Sequence, residues 1–172
     1  TYDASGDPAY VTTGTSGQVL TSGGTGVAPT FQTAAGGGKV LQVVHGTTTT
    51  NASTTSTSYT DTNLSTSITP ATGSKVLVIT SQGLYLNNTS NGINARIMRD
   101  STVIQTFLYS LYAGTTSLAA STSLNYLDSS PGGDGSTAIT YKTQFATRDS
   151  TESVEAQLGS ATSTITLIEI GA

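Results

Sequence analysis

From residue 93 to residue 98 the chain alternates. Ile93, Ala95 and Ile97 fall on one face of an extended segment, with polar Asn94 and Arg96 between them. That period predicts a half-buried strand. Asp100 and Ser101 then read as a tight turn into residues 102–108, so the two runs predict a hairpin. The same texture recurs along the chain. Residues 39–45 open it, and residues 59–70 form a Thr-rich run closed by Pro70 and Gly73. Residues 75–80 are apolar on both faces and predict a central strand, which residues 84–86 extend past Gly83. Residues 136–146 alternate with Ile139, Tyr141 and Phe145 on one face, 154–158 give a short run, and 162–170 close the chain. A sustained 3.6-residue apolar stripe is missing; the nearest approach, residues 108–118, is broken by Gly114 and paired threonines. About eight short strands with frequent turns predict an all-β fold, a β-sandwich or jelly roll spanning residues 39–172.

Before residue 39 the pattern changes. Residues 14–31 read GTSGQVLTSGGTGVAPTF, with Val19, Leu20, Val27 and Phe31 as the sizeable apolar side chains. Four such residues cannot build a core, yet they sit at definite places among the glycines. Residues 1–38 are therefore expected to be an extended stalk or arm, ending in Ala34, Ala35 and a triple glycine, 36–38, that acts as a flexible joint.

Composition narrows the function. Charged residues make up 9% of the 172, and Ser and Thr together roughly a third, so hydroxyls rather than charges coat the surface. A net charge of -4 offers no basic patch for phosphate backbones, which argues against nucleic acid as a partner. With no cysteine there is no disulfide, thiolate metal site or Cys nucleophile. An apolar run long enough to span a bilayer is absent. The sequence starts at Thr1 with no signal-peptide pattern, as expected of a processed chain or of part of a longer one.

The chemical signals are thin. His45 ends the first predicted strand and reads as a strand-end residue rather than a base. Asp149, Glu152 and Glu155, beside Arg148, are the one acidic cluster, and a solvated turn accounts for it better than paired glycosidase carboxylates do. Asp128 and Asp134, in a long glycine-rich loop over residues 125–136, have oxygens for Ca²⁺, but their spacing fits no calcium-loop pattern. Gly23, Gly24 and Gly26 lack the Lys and the following helix of a phosphate loop. Sequons starting at Asn51, Asn63, Asn87 and Asn88 are what chance gives in a chain this rich in Ser and Thr. No catalytic residue, metal ligand or cofactor site is expected. Tyr109, Tyr112 and Tyr126 stand near the polar middle of the chain, where Tyr stacks on sugar rings, although Tyr is also common in half-buried strands without a ligand.

The opening stretch also carries a resemblance. Gly17, Gln18, Val19 and Leu20, the Thr21–Ser22 turn, the glycines 23–26, and Ala28, Pro29, Thr30 and Phe31 resemble a segment recurring in bacteriophage tail-fibre and related appendage proteins. Residues 163–172 are similar to the last strand of such proteins, as are residues 74–79 with 96–103 after them. The resemblance implies a virion part, often a homotrimer, with a stalk and a distal β-rich head, and it brings no catalytic residues. Val19, Leu20, Val27 and Phe31 of three chains would then meet at a shared axis, or the segment would lie as an arm across a neighbouring subunit. The expected task is attachment to a host surface glycan or receptor, outside the cell and without membrane insertion, alongside other virion proteins. The loops 87–91, 109–116 and 125–135 are candidates for recognition, with Asn87, Asn88, Tyr109, Tyr112 and Tyr126 as named contacts. Alternatives are a capsid decoration or fibre-joining protein with a clasping arm, a carbohydrate-binding module of a bacterial adhesin, and a glycan depolymerase.

Overall fold

The computed structural model describes residue 5 and residues 10–34, 40–87, 91–114, 116–149 and 152–172. The expected glycine joint, residues 36–38, and Asn88 lie outside the described residues. The chain divides into two compact units, Thr1–Gly37 and Gly38–Ala172.

The first unit holds an antiparallel hairpin of β1 (Gln18–Thr21) and β2 (Thr30–Thr33), with Leu20 opposite Phe31 and Val19 opposite Gln32. It was expected to be an extended stalk or arm with turns at its glycines. Two glycines make the folding-back possible. A Cβ at Gly14 would lie 2.5 Å from Phe31 Cγ, and one at Gly23 would lie 2.5 Å from Val27 Cγ1, so the large side chains rest directly on bare backbone. Even so, Val19, Leu20, Val27 and Phe31 all stay exposed. A lone two-stranded hairpin has no second layer to bury them against.

The second unit is an all-β sandwich. Its strands are β3 (Val40–Thr48), β4 (Ala52–Thr54), β5 (Thr60–Ile68), β6 (Lys75–Leu86), β7 (Asn91–Arg99), β8 (Thr102–Ala113), β9 (Leu118–Thr122), β10 (Asn125–Asp128), β11 (Ile139–Thr147), β12 (Val154–Ala156) and β13 (Ser163–Ile170). One sheet has the order β3-β13-β6-β12-β4, with β10 and β9 also on β6; the other has the order β5-β11-β7-β8. All pairs are antiparallel. β6 organises the larger sheet: its first half is flanked by β13 and β10, its second half by β12 and β9.

The central strand was expected to be buried on both faces. It is central, but only one face is covered. Val76, Val78, Leu84 and Leu86 are buried, whereas Leu77 is half-buried and Ile79 exposed. β4, β9 and β10 were not anticipated; they are short and their outward residues are mainly Ser, Thr, Ala and Asn, so no apolar alternation announces them. The loop expected over 125–136 begins as β10.

The core comes in two parts. Leu64, Ile68, Val76, Val78, Ile97, Tyr141, Ile165 and Leu167 form one cluster; Leu84, Leu86, Ile93, Leu111, Phe145 and Val154 form the other. Along β6 and β11 the residues between the two are polar: Gln82 and Thr143, joined by Thr62, Gln157 and Ser163, all fully buried. The Thr143 hydroxyl donates to Gln82 Oε1 (2.8 Å), Gln82 Nε2 donates to Ser163 Oγ (3.1 Å), and the Thr62 hydroxyl donates to the Thr143 carbonyl (3.2 Å). The Gln157 amide closes the belt, its nitrogen donating to the carbonyls of Thr62 (2.9 Å) and Thr50 (3.1 Å) and its oxygen accepting from Gln82 and the Ser163 hydroxyl. Among the described residues no buried side-chain polar atom lacks a partner. Such a network is stable only when fully connected, and this one is.

Candidate functional site

The outer face of the four-stranded sheet carries an irregular stretch of backbone. Ile93 pairs with Leu111 and Ala95 with Phe107, so three residues of β8, Leu108, Tyr109 and Ser110, stand opposite Asn94 alone. The surplus is accommodated as a bulge with Tyr109 at φ 55°, a left-handed conformation that costs a non-glycine residue on the order of 1 kcal/mol or more. Asn94 holds it: its side-chain oxygen accepts the Tyr109 N–H at 3.1 Å. The bulge turns its residues out, leaving Leu108 66% and Tyr109 55% exposed, with Tyr112 at 48%.

Tyr109 and Tyr112 are three apart and would face opposite sides of a regular strand. The bulge brings them together, ring centroids 6.0 Å apart in an edge-to-face arrangement. They lie over Gly92, whose absent Cβ would fall 3.4 Å from Tyr112 Cδ2 and 3.6 Å from Tyr109 Cδ1. The Arg148 guanidinium sits 5.4 Å from the Tyr109 ring centroid, within cation–π range. The result is an exposed aromatic pair with an adjacent cation, strained into place.

A polar chain continues on the same outer face. Lys142 Nζ donates to Asp61 Oδ2 (2.8 Å), Gln144 Nε2 donates to Asp61 Oδ1 (2.6 Å), and Arg96 Nε donates to Gln144 Oε1 (2.8 Å). Arg96 also lies 4.2 Å over the Tyr59 ring. Burial pushes the Asp61 carboxyl up, but the hydrogen bonds from Lys142 and Gln144 and the nearby cations outweigh it and hold the group below its usual range. Burial raises the Tyr59 hydroxyl despite Arg96. Beside this chain lies a cavity of about 250 Å³ lined by Asp61, Asn63, Leu64, Ser65 and Lys142. Its rim includes a second left-handed residue, Asn63 at φ 65°. Donors, acceptors and aromatic rings on one surface suit a neutral, hydroxyl-rich ligand.

The remaining candidates are dispersed. Tyr126 sits across from Val78, partly buried and packed against the first core cluster, apart from Tyr109 and Tyr112. Asn87 belongs to the other sheet's end, where the Tyr85 hydroxyl donates to its Oδ1 (3.2 Å) and the Ser117 hydroxyl to its carbonyl (3.1 Å). The two loop acids are already engaged. Arg99 NH1 donates to both oxygens of Asp128 (3.1 and 2.8 Å) and the Tyr141 hydroxyl donates to Oδ2 (2.9 Å), tying β10 to β7 and β11 across the sandwich. Asp134 accepts from the Thr137 N–H, the Thr137 hydroxyl and the Ser136 N–H, which hold its carboxyl well below the usual range. His45 Nδ1 lies 3.0 Å from Thr166 Oγ1 on the neighbouring strand. Glu155 accepts from Asn51 Nδ2 (3.0 Å). Among the described residues no group of three His, Asp or Glu is placed to hold a metal, and no helix is long and apolar enough to cross a membrane.

Sequence reasoning missed Arg148 and Gly92 as members of the aromatic site, along with the whole Asp61 chain. The spacing of three between Tyr109 and Tyr112 was the available signal, since it breaks strand alternation.

No family model matches the sequence, and no curated protein matches it. Among solved structures, the chain is similar to that of the infectious bursal disease virus Gx strain, at 12% identity and a TM-score of 0.42, over 96% of this chain and 44% of that one. It is also similar to the infectious bursal disease virus VP2 subviral particle, at 13% identity and a TM-score of 0.42, over 89% of this chain and 44% of that one. The chain thus spans less than half the length of these structures, and likeness at this level carries no argument about function.

Proposed function

We propose that this chain is a structural and adhesive virion protein, a bacteriophage tail fibre or related appendage, whose sandwich attaches to a glycan on the host surface. One observation carries the adhesive part: the exposed Tyr109–Tyr112 pair, brought together by a strained bulge, beside Arg148. Strain of this kind is retained where a particular presentation is required. The polar chain from Tyr59 to Lys142 on the same face adds hydrogen-bonding groups of the kind that read sugar hydroxyls. The resemblance of residues 17–31 to appendage proteins supports the virion setting. The exposed apolar side chains of the β1–β2 hairpin support assembly as a homotrimer, in which neighbouring copies cover them.

The test is binding of the full chain to polysaccharide extracted from candidate host cells, by calorimetry, for the parent and for Tyr109→Ala and Tyr112→Ala. Stacked rings contribute on the order of 1 kcal/mol or more each, so each variant should weaken binding by roughly fivefold or more. Undiminished binding in both variants would overturn the assignment of this face. The same extract incubated with the chain should release no oligosaccharide.

The hairpin favours one other reading, a decoration or fibre-joining protein that clasps a neighbouring subunit. Copy number decides it: a few copies at the tail support attachment, and many copies on the shell support decoration.

A further inference from the structure

The two outer faces of the sandwich differ in chemistry. The outer face of the four-stranded sheet holds Asp61, Arg96 and Lys142. Part of the outer face of the larger sheet is apolar. Val43 on β3, Ile168 on β13, Leu77 on β6 and Leu127 on β10 form one cross-strand row. Ile79 lies in the next row with His45, Thr166 and Asn125, and Ile170 lies in the row beyond Leu77. Val43 is 57% exposed and Leu127 44%. Of the described residues in these rows, Lys75 alone carries a formal charge at neutral pH. At its margin β3 pairs only with β13 among the described strands, so its other edge has no described strand partner, with exposed Val40 and Leu41 at its start.

Isolated proteins avoid this combination. An open edge is normally blunted by charge, proline or cover, and a contiguous apolar face is normally covered. We infer that the outer face of the larger sheet, over β3, β13, β6 and β10, is the surface by which the sandwich packs against other copies of this chain. It rests on the homo-oligomeric part of the reading above and assigns that assembly to different residues from the hairpin.

Charge selects the occupant. A partner with a charged surface would find only Lys75, at the margin of these rows, as a counter-charge, and its other charges would be desolvated without return. A second copy brings the same largely uncharged surface, with the charge depletion typical of interface cores. Size agrees. Three strands of about eight residues and the four-residue β10, at about 4.8 Å spacing and about 3.3 Å per residue, give roughly 440 Å² in projection. That is more than half of the ~800 Å² per partner of a standard interface before side-chain relief is counted.

The experiment uses the full chain and reads mass by light scattering. Leu77→Asp with Leu127→Asp disrupts the face; Val19→Ser with Phe31→Ser disrupts the hairpin. The expected result is an oligomer for the parent and a fall towards single-chain mass for the face variant, with its strand circular dichroism retained. An oligomer lost in the hairpin variant but unchanged in the face variant would overturn this inference and leave the homo-oligomeric reading standing. A monomeric parent would overturn both. Should the face variant unfold, single cysteines decide, since the chain has none of its own. Leu127→Cys should react with maleimide more slowly than Thr106→Cys, which is exposed on the opposite sheet. Equal rates, or labelling of Leu127→Cys slowed only when another virion protein is added, would overturn the inference.

Discussion

Two buried ionisable side chains fix how the sandwich responds to pH. Tyr141 is fully buried and donates to Asp128; burial first, then that hydrogen bond and the Asp128 charge, push its hydroxyl far above the usual tyrosine range. The unfolded chain therefore gives up this proton at a lower pH than the folded one, near pH 10, so stability is complete below that pH and falls as pH rises above it. Replacing Tyr141 by Phe should cost about 1 kcal/mol at pH 7, since it removes one buried hydrogen bond to Asp128 while the Arg99 pairing remains. It should also make the loss between pH 9 and pH 11 smaller, as followed by urea denaturation. Glu169 behaves oppositely. Burial raises its carboxyl, but hydrogen bonds from Ser74, Gln42 (2.7 Å) and the Ala71 N–H (2.7 Å) outweigh that and hold it below the usual range. Its stabilisation is present above about pH 4.5 and is lost as pH falls through the lowered value. Glu169→Gln should flatten the acid limb of the stability profile between pH 5 and pH 3; an unchanged limb would show that these bonds do not favour the carboxylate.

At the scale of the element, the bulge in β8 is where structure and pattern part. Asn94→Ala removes the acceptor that holds Tyr109 at φ 55°, and should cost about 1 kcal/mol in thermal stability while weakening glycan binding as much as loss of one ring. If binding is untouched, the bulge does not present the aromatics. The long strands were legible because their apolar residues alternate, as in β7, β11 and β13. The continuation of β8 to Ala113 was not, because its surplus residues shift the phase at Leu108. The hairpin over residues 18–33 was hidden differently: its apolar residues are too few for any period. The buried polar belt was invisible because Thr62 and Thr143 look like the many threonines that face water. Their interior position follows only from the register of β5 against β11. Of the candidate site, Tyr109 and Tyr112 were legible as residue types, but their partnership and Arg148 depend on backbone geometry that no local signal states.

For the whole molecule, the contrast between the two outer faces predicts opposite responses to substitution. Charged replacements on the β3-β13-β6-β10 face should change mass in solution, and replacements of Asp61 or Lys142 should change binding while leaving mass alone. If the β1–β2 hairpin acts in assembly as proposed, Phe31→Ser should raise the concentration at which the oligomer half-dissociates on dilution while leaving the unfolding midpoint of the sandwich nearly unchanged. The belt of Gln82, Thr143, Thr62, Gln157 and Ser163 has a consequence in time rather than in shape. It separates two apolar half-cores, and the one around Leu84, Leu86, Phe145 and Val154 is bordered by short strands: β4 and β12 with three residues each and β9 with five. That half should open as a unit of its own, exchanging the amide hydrogens of β9 and β12 in events of smaller free energy than those that release β5 and β13. The sandwich then breathes at one end while the other stays closed, and a single shared exchange rate limit for all four strands would rule this out.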